Sequence, residues 1–176
     1  RLQKIIALSL LAAACAWLLA FWPGAPLLAL AGCAVIVFGH SILLALEFAA
    51  LHVTQRGEPE PPGWRELARA WVGETVAAAR VFSWWQPFRS GAVPDQLAPA
   101  NAGQQRRGIV LIHGFVCNRG VWTPWLRRLR SSGHVFVAVN LEPVFGAIDD
   151  YTPIIEDAVQ RVTRATGRTP LLVCHS

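Results

Sequence analysis

Charged residues are scarce in this sequence, and methionine is absent from it. Only 15% of the 176 residues are Asp, Glu, Lys or Arg, and Lys4 is the single lysine. The arginines, which supply most of the net charge of +5, are scattered along the chain. Because nucleic-acid binding needs cations clustered on one face, we expect no nucleic-acid partner. Because a translated chain normally begins with methionine, we expect a processed or incomplete N-terminus.

The four cysteines do not follow a metal-binding pattern. Cys15, Cys33, Cys117 and Cys174 are far apart in the sequence, whereas structural zinc sites use closely spaced pairs of ligands. We therefore expect four free thiols, no metal site and no cofactor. Cys117 has no evident histidine partner, so we interpret it as a loop thiol rather than a second nucleophile.

The first third of the chain contains two long stretches without a charged residue. They run from Ile5 to Trp22 and from Leu27 to Leu46, with the sequence PGAP between them. An apolar helix of about 20 residues spans a hydrocarbon core of about 30 Å. Residues 1–53 are therefore predicted to form a transmembrane helical hairpin.

A cleaved secretory signal is the alternative for this region. Arg1 and Lys4 precede the apolar run, and the sequence LAAAC, which ends at Cys15, resembles a lipoprotein cleavage site. The run continues well past Cys15, which favours the hairpin.

Positive charge predicts the orientation of the hairpin. Arg1 and Lys4 precede the first span, Arg56, Arg65 and Arg69 follow the second, and the connecting turn is uncharged. Since positive residues stay on the cytoplasmic side, both ends are predicted to face the cytoplasm. We expect a bacterial-type inner (cytoplasmic) membrane, with the rest of the chain on its cytoplasmic side.

Two polar residues, His40 and Ser41, interrupt the second apolar stretch. A buried relay is one interpretation, and a hydrogen bond to the partner helix is the other. We favour the hydrogen bond.

Residues 54–107 are predicted to be a linker that contains an amphipathic helix over about 64–88. Apolar residues recur at helical spacing on one side of this helix, and arginines lie on the other. This pattern is typical of a helix on a membrane surface. Packing of the same side on the following domain explains it equally well. The apolar side consists of Trp64, Leu67, Ala68, Trp71 and Val72.

The last third of the chain alternates between short apolar runs and helical patterns. Strands are predicted over 108–112, 134–140 and 169–174, with helices over 122–133 and from Thr152 to Gly167. A strand–helix–strand–helix–strand order indicates an α/β fold with a parallel sheet.

Polar residues follow the first and third predicted strands. His113, Gly114 and Phe115 come after the first, and His175 and Ser176 after the third. Functional groups of such sheets lie beyond the carboxyl ends of the strands. Gly114 permits a tight turn that frees the amide of Phe115. A serine there can attack a carbonyl while the amide stabilises the resulting oxyanion.

The sequences GIVLIHGF, VFVAVNLEP and LLVCHS together resemble the α/β-hydrolase superfamily, and within it the bacterial lipases and esterases. The resemblance covers residues 108–176. It implies that Ser176 is the nucleophile, that the Phe115 amide is half of the oxyanion hole, and that His113 and Gly114 form the oxyanion turn. Cys174 departs from the family pattern Gly-x-Ser-x-Gly, although lipase-like members often carry another small residue there.

The resemblance also defines what this sequence does not contain. The second oxyanion amide, the acid and the histidine follow the serine in this family, so we expect residues 108–176 to be the N-terminal part of a hydrolase domain, truncated at its nucleophile. Without an acid and a histidine, the chain as given is not expected to be an active enzyme.

The predicted function of the complete protein is a membrane-anchored serine hydrolase of carboxylic esters. Its expected partners are membrane lipids and an ester or acyl-lipid substrate. The alternative is a catalytically inactive fragment or a non-enzymatic, membrane-bound binding module on the same fold. The oligomeric state is not predicted.

Overall fold

The structure is a computed structural model that describes residues 1–55, 57, 59–98 and 106–175. Contacts within the chain group it into two compact units. One comprises Lys4–Ser83, and the other consists mainly of the residues from Trp84 onward. Two long apolar helices lie in the first unit and a three-stranded parallel sheet lies in the second. This confirms the predicted order of apolar helices followed by a parallel sheet.

Helix α1 spans Leu2–Phe21 and α2 spans Pro26–Thr54. Both are long and apolar enough to cross a membrane, as predicted. At the turn between them the Trp17 indole donates a hydrogen bond to the carbonyl of Leu28, at 3.2 Å. Gly32 lies against the same indole, where a Cβ would clash with the ring. Helix α2 continues eight residues past Leu46, the predicted end of the second span, because no helix-breaking residue interrupts it there.

Helix α3, Trp64–Arg80, packs on α2. Its Leu67 is buried, and the Trp71 indole donates to the carbonyl of Ser41 at 2.8 Å. The hydroxyl groups of Ser41 and Thr75 share a hydrogen bond of 2.8 Å. Ser41 therefore makes the hydrogen bond that its polarity predicted, but with α3 and not with α1. Part of the predicted apolar side of α3, including Val72, stays exposed.

The predicted helix over 64–88 is not uniform. After α3 the chain forms a π-helical segment, Val81–Trp85, and then the short helix α4, Gln86–Phe88. Pro87 is compatible with α4 because it lies in the first turn of the helix. An N–H group in that turn has no acceptor within the helix, so its absence in proline costs no helical hydrogen bond.

The sheet consists of β1 (Ile109–Ile112), β2 (Phe136–Ala138) and β3 (Leu171–Cys174). All pairings are parallel, and the strand order is β2-β1-β3. The strands are shorter than the predicted apolar runs. Each run continues beyond the last residue that pairs with a neighbouring strand. Helix α5, Thr123–Ser131, connects β1 to β2, and α6, Thr152–Thr166, connects β2 to β3.

The two helices cover opposite faces of the sheet. Leu126 of α5 lies in one core with Leu111, and Val162 of α6 lies in another with Val110. Neighbouring residues of a strand point to opposite faces, so β1 contributes to both cores. Strand β1 is central, with β2 on one side and β3 on the other. The connection from β1 to β2 therefore runs in one direction across the sheet, and the connection from β2 to β3 runs in the opposite direction. The strand order reverses between β1 and β3.

The described part of the predicted connector over 90–107 packs on the sheet. Gln96 and Phe136 exchange two backbone hydrogen bonds, at 3.0 and 2.8 Å, in an antiparallel bridge. Val93 is buried in the core beside α5. Asp95 accepts a hydrogen bond from the amide of Ala138 at 3.2 Å. Residues 93–96 therefore cover the outer edge of β2.

Candidate functional site

The carboxyl ends of β1 and β3 lie side by side. Ile112 pairs with Cys174, and the amide of His175 donates to the carbonyl of Ile112 at 3.0 Å. The chain segments that begin with His113 and His175 therefore leave the sheet at the same edge. Ser176, the predicted nucleophile, follows His175 in the sequence and lies outside the described residues, so its role stays a prediction.

A tight turn follows β1. The amide of Cys117 donates to the carbonyl of Gly114 at 3.2 Å, which closes the turn from Gly114 to Cys117. Val116 has a φ of 57° and is the one non-glycine residue with positive φ in the described part of the chain. A β-branched side chain rarely adopts this conformation, which carries a strain of about 1–3 kcal/mol. Such strain accumulates at functional sites, and no feature of the sequence indicated it here.

Phe115 lies at the outer side of this turn. Its side chain is 73% exposed. Within the described part of the chain, its amide donates to no backbone or side-chain acceptor. An unbonded amide beside the carboxyl end of a strand is suited to bind developing negative charge. The role of the Phe115 amide in an oxyanion hole stays a prediction.

The His113 imidazole is buried and bonded through both nitrogens. The amide of Leu141 donates to Nε2 at 3.0 Å, and Nδ1 lies 2.9 Å from the carbonyl oxygen of Gly114. Since Nε2 accepts a hydrogen bond, the proton of the neutral ring is on Nδ1, which donates to Gly114. Burial lowers the pKa of His113, and the charge of His175 acts in the same direction. The Gly114 carbonyl and Glu142 oppose this shift.

A cavity of about 340 Å³ lies between the turn after β1 and the loop after β2. Apolar side chains dominate its walls. In the second loop, the Tyr151 hydroxyl donates to the carbonyl of Pro143 at 2.7 Å. No sequence pattern indicates this cavity, because its walls belong to two loops that are distant in sequence. Its lining includes Phe115, Val116, Leu141, Val144, Ile148 and Tyr151.

Large apolar side chains surround the same cavity on the outside. The rings of Phe115 and Phe145 meet edge to face with centroids 5.9 Å apart. Phe145 is 75% exposed and Ile148 is 86% exposed. The surroundings of the cavity therefore suit an apolar molecule.

Cys117 is half-buried at the end of the turn. Burial raises the pKa of its thiol, and a hydrogen bond with the Gln86 side chain partly opposes this shift. A raised pKa disfavours the reactive thiolate, which agrees with the interpretation of Cys117 as a loop thiol. The described residues contain no group of three His, Cys, Asp or Glu side chains that is arranged to hold a metal ion.

Gln86 anchors the loop that carries the turn, although it belongs to no recognisable sequence motif. Its side-chain oxygen accepts a hydrogen bond from the amide of Asn118 at 2.8 Å. The Asn118 side chain donates in turn to the carbonyl of Gln86 at 2.9 Å. Gln86 is buried, and only its position within a largely apolar helical segment hinted at a structural role.

Comparison with family models, with curated proteins and with solved structures finds no match for this chain.

Proposed function

We propose that this chain carries the nucleophile and half of the oxyanion hole of a membrane-anchored serine hydrolase of the α/β-hydrolase type. The observation that supports this most is the register of β1 and β3, which pairs Ile112 with Cys174. The strand order reverses between these strands, and ligands of parallel sheets bind at such a reversal, beyond the carboxyl ends. Both predicted catalytic elements follow these two strands directly.

The proposed reaction is the hydrolysis of a carboxylic ester. The hydroxyl of Ser176 attacks the carbonyl carbon, and the alcohol leaves to give an acyl-enzyme. The Phe115 amide stabilises the oxyanion in this step, and the loss of one such donor raises the barrier by about 3 kcal/mol. Water then releases the carboxylic acid. In the family pattern, the base and the acid that assist Ser176 come after it in the chain.

The cavity beside Phe115 supports an apolar acyl group as the substrate. A pocket of this volume holds a short acyl chain, and its walls contain Phe115, Val144 and Ile148. Helices α1 and α2 support attachment to a membrane, where acyl esters are abundant. The arginines at both ends of the hairpin support a cytoplasmic location of the hydrolase part.

Labelling with an alkyl fluorophosphonate tests this proposal. Such a probe phosphonylates an activated serine, and peptide mass mapping identifies the modified residue. The protein is isolated in membranes from its source cells, so that any partner residues are present. We expect the label on Ser176 and its loss in Ser176→Ala, with full labelling retained in the control Ser132→Ala, whose side chain caps the end of α5. An unlabelled Ser176 refutes the hydrolase and favours a binding module.

A further inference from the structure

We infer that His113 is a positioning residue, whose imidazole joins the turn 113–117 to the loop 141–151 and thereby holds the Phe115 amide in place. This inference rests on the proposed function, because it assigns the role of His113 within the proposed oxyanion hole. It requires no titration and no contact between His113 and a substrate.

The two hydrogen bonds of the ring connect the two loops directly. Nδ1–H binds the Gly114 carbonyl, which belongs to the turn, and Nε2 binds the Leu141 amide, which begins the other loop. Both nitrogens are thus occupied, and His113 is only 4% exposed. It is therefore not available as a general base, and its hydrogen bonds are shielded from competing water.

The turn itself needs such support. Val116 adopts an unfavourable φ of 57°, and a strained residue keeps its conformation only when its surroundings enforce it. The Gly114 carbonyl accepts a hydrogen bond from the Cys117 amide and another from the His113 imidazole. The imidazole therefore holds the same carbonyl oxygen that closes the turn. Without the imidazole, we expect Val116 to relax and the Phe115 amide to change direction.

The same geometry makes the connection sensitive to protonation. A protonated imidazole has no acceptor for the Leu141 amide. The titratable groups that act on the ring are Glu142, at the start of the loop after β2, and His175, at the end of β3. Glu142 favours the protonated ring and His175 disfavours it.

Three variants separate the two hydrogen bonds. His113→Gln places an oxygen near the position of Nε2 and keeps an acceptor for Leu141. His113→Asn keeps a donor near Nδ1 for Gly114 but loses the acceptor. His113→Leu removes both. His134→Gln is the matched control, because its ring contacts Ser132 at the surface and lies outside the site.

Hydrogen exchange of the whole protein in detergent tests the connection without any activity. We expect the amides of Leu141 and Cys117 to exchange at least about tenfold faster in His113→Leu and His113→Asn, because each loses the hydrogen bond, or the support of the hydrogen bond, that protects it. His113→Gln restores slow exchange at Leu141. Val110 and Val137, in the strands, serve as internal references for folding. Unchanged exchange at Leu141 in both His113→Leu and His113→Asn overturns the inference.

The rate of fluorophosphonate labelling at Ser176 tests the consequence for the oxyanion hole. We expect a decrease of about 10- to 100-fold in His113→Leu, as for a misplaced catalytic group. His113→Gln recovers most of the rate, and its rate falls less in acid than the parent rate does, since only the base that assists Ser176 still titrates. If Ser176 is labelled in His113→Leu at the same rate as in the parent, the positioning role of His113 is overturned while the proposed function stands. If the parent is unlabelled, the proposed function fails while hydrogen exchange still decides the structural inference.

Discussion

Arg119 and Asp95 form an ion pair of 2.9 Å whose side chains are only 15% and 19% exposed. The same carboxylate also pairs with Arg161 at 3.0 Å. Asp95 therefore connects the segment before the sheet to the loop after β1 and to α6.

Removal of this carboxylate is expected to destabilise the protein. In Asp95→Ala, Arg119 and Arg161 lose their shared partner, and the mostly buried Arg119 keeps an uncompensated charge. Since the pair is partly exposed, we expect a loss of about 1–3 kcal/mol in the free energy of unfolding, less than for a fully buried pair. Asp157→Ala is the control, because its contact with Arg161 is 3.8 Å long and mostly exposed. Thermal unfolding of the purified proteins in detergent measures the stability of both variants. Equal stability of Asp95→Ala and Asp157→Ala contradicts the prediction.

A second prediction concerns the close approach of α6 to the start of β1. A Cβ at Gly108 would clash with the Val162 side chain, whereas a Cβ at Gly91 meets open space. We expect Gly108→Ala to lower the free energy of unfolding by about 1–3 kcal/mol through overpacking, and Gly91→Ala to change it little. The double variant Gly108→Ala with Val162→Ala should lose less than the sum of the single variants. If the loss of stability in the double variant equals the sum of the two single losses in the same unfolding assay, the clash between Gly108 and Val162 is refuted.

A third prediction tests the amide of Phe115. Because Phe115 is the second residue of the turn closed by Gly114 and Cys117, proline fits that position without breaking the turn. Phe115→Pro removes only the N–H and the ring, and we expect fluorophosphonate labelling to slow by about 100- to 1000-fold. Phe115→Leu keeps the amide and should retain most of the rate. Similar rates for the two variants would show that the amide has no such role.

The lowered pKa of His113 predicts a dependence of stability on pH. The unfolded chain binds a proton near the ordinary value of 6.5, and the folded protein binds it only at lower pH. The unfolded state therefore holds more protons in this window, and stability falls as pH decreases below about 6.5. Unfolding midpoints of the parent and of His113→Gln measure the contribution, and we expect the parent to lose more stability in acid. If the unfolding midpoints of the two proteins depend on pH in the same way, His113 does not contribute to the loss of stability in acid.

The predicted orientation is open to a direct test with a native thiol. Cys174 is exposed, whereas Cys117 is half-buried. We expect a membrane-impermeant maleimide to modify Cys174 in inverted vesicles and not in intact cells, and Cys174→Ser to lose this label. Modification in intact cells would place this part of the chain on the opposite side.

The sequence was sufficient to predict the features that depend on local pattern. Uncharged runs predicted α1 and α2, and short apolar runs predicted the three strands and their parallel pairing. Gly167 ends α6 with a φ of 67°, as its position after the helical pattern indicated. The ends of the strands were less accurate, because pairing with a neighbour determines where a strand stops.

Features that depend on distant contacts were beyond the sequence. His113 was identified as part of a turn, but its bond to Leu141 spans 28 residues and follows from the packing of two loops. Ser41 was expected to bond to another helix, yet the sequence does not indicate that Thr75 of α3 is the nearest hydroxyl. The strain at Val116 depends on backbone closure, and its valine gives no sign of it.

The packing of α3 on α2 sets the direction of α3 within the first unit. His52, near the end of α2, stacks on Trp64, and Ser41, eleven residues earlier, meets Thr75. Helix α3 therefore runs antiparallel to α2. Within the first unit the two helices form one pair that is held at both ends of its contact, by the rings of His52 and Trp64 and by the hydroxyl groups of Ser41 and Thr75.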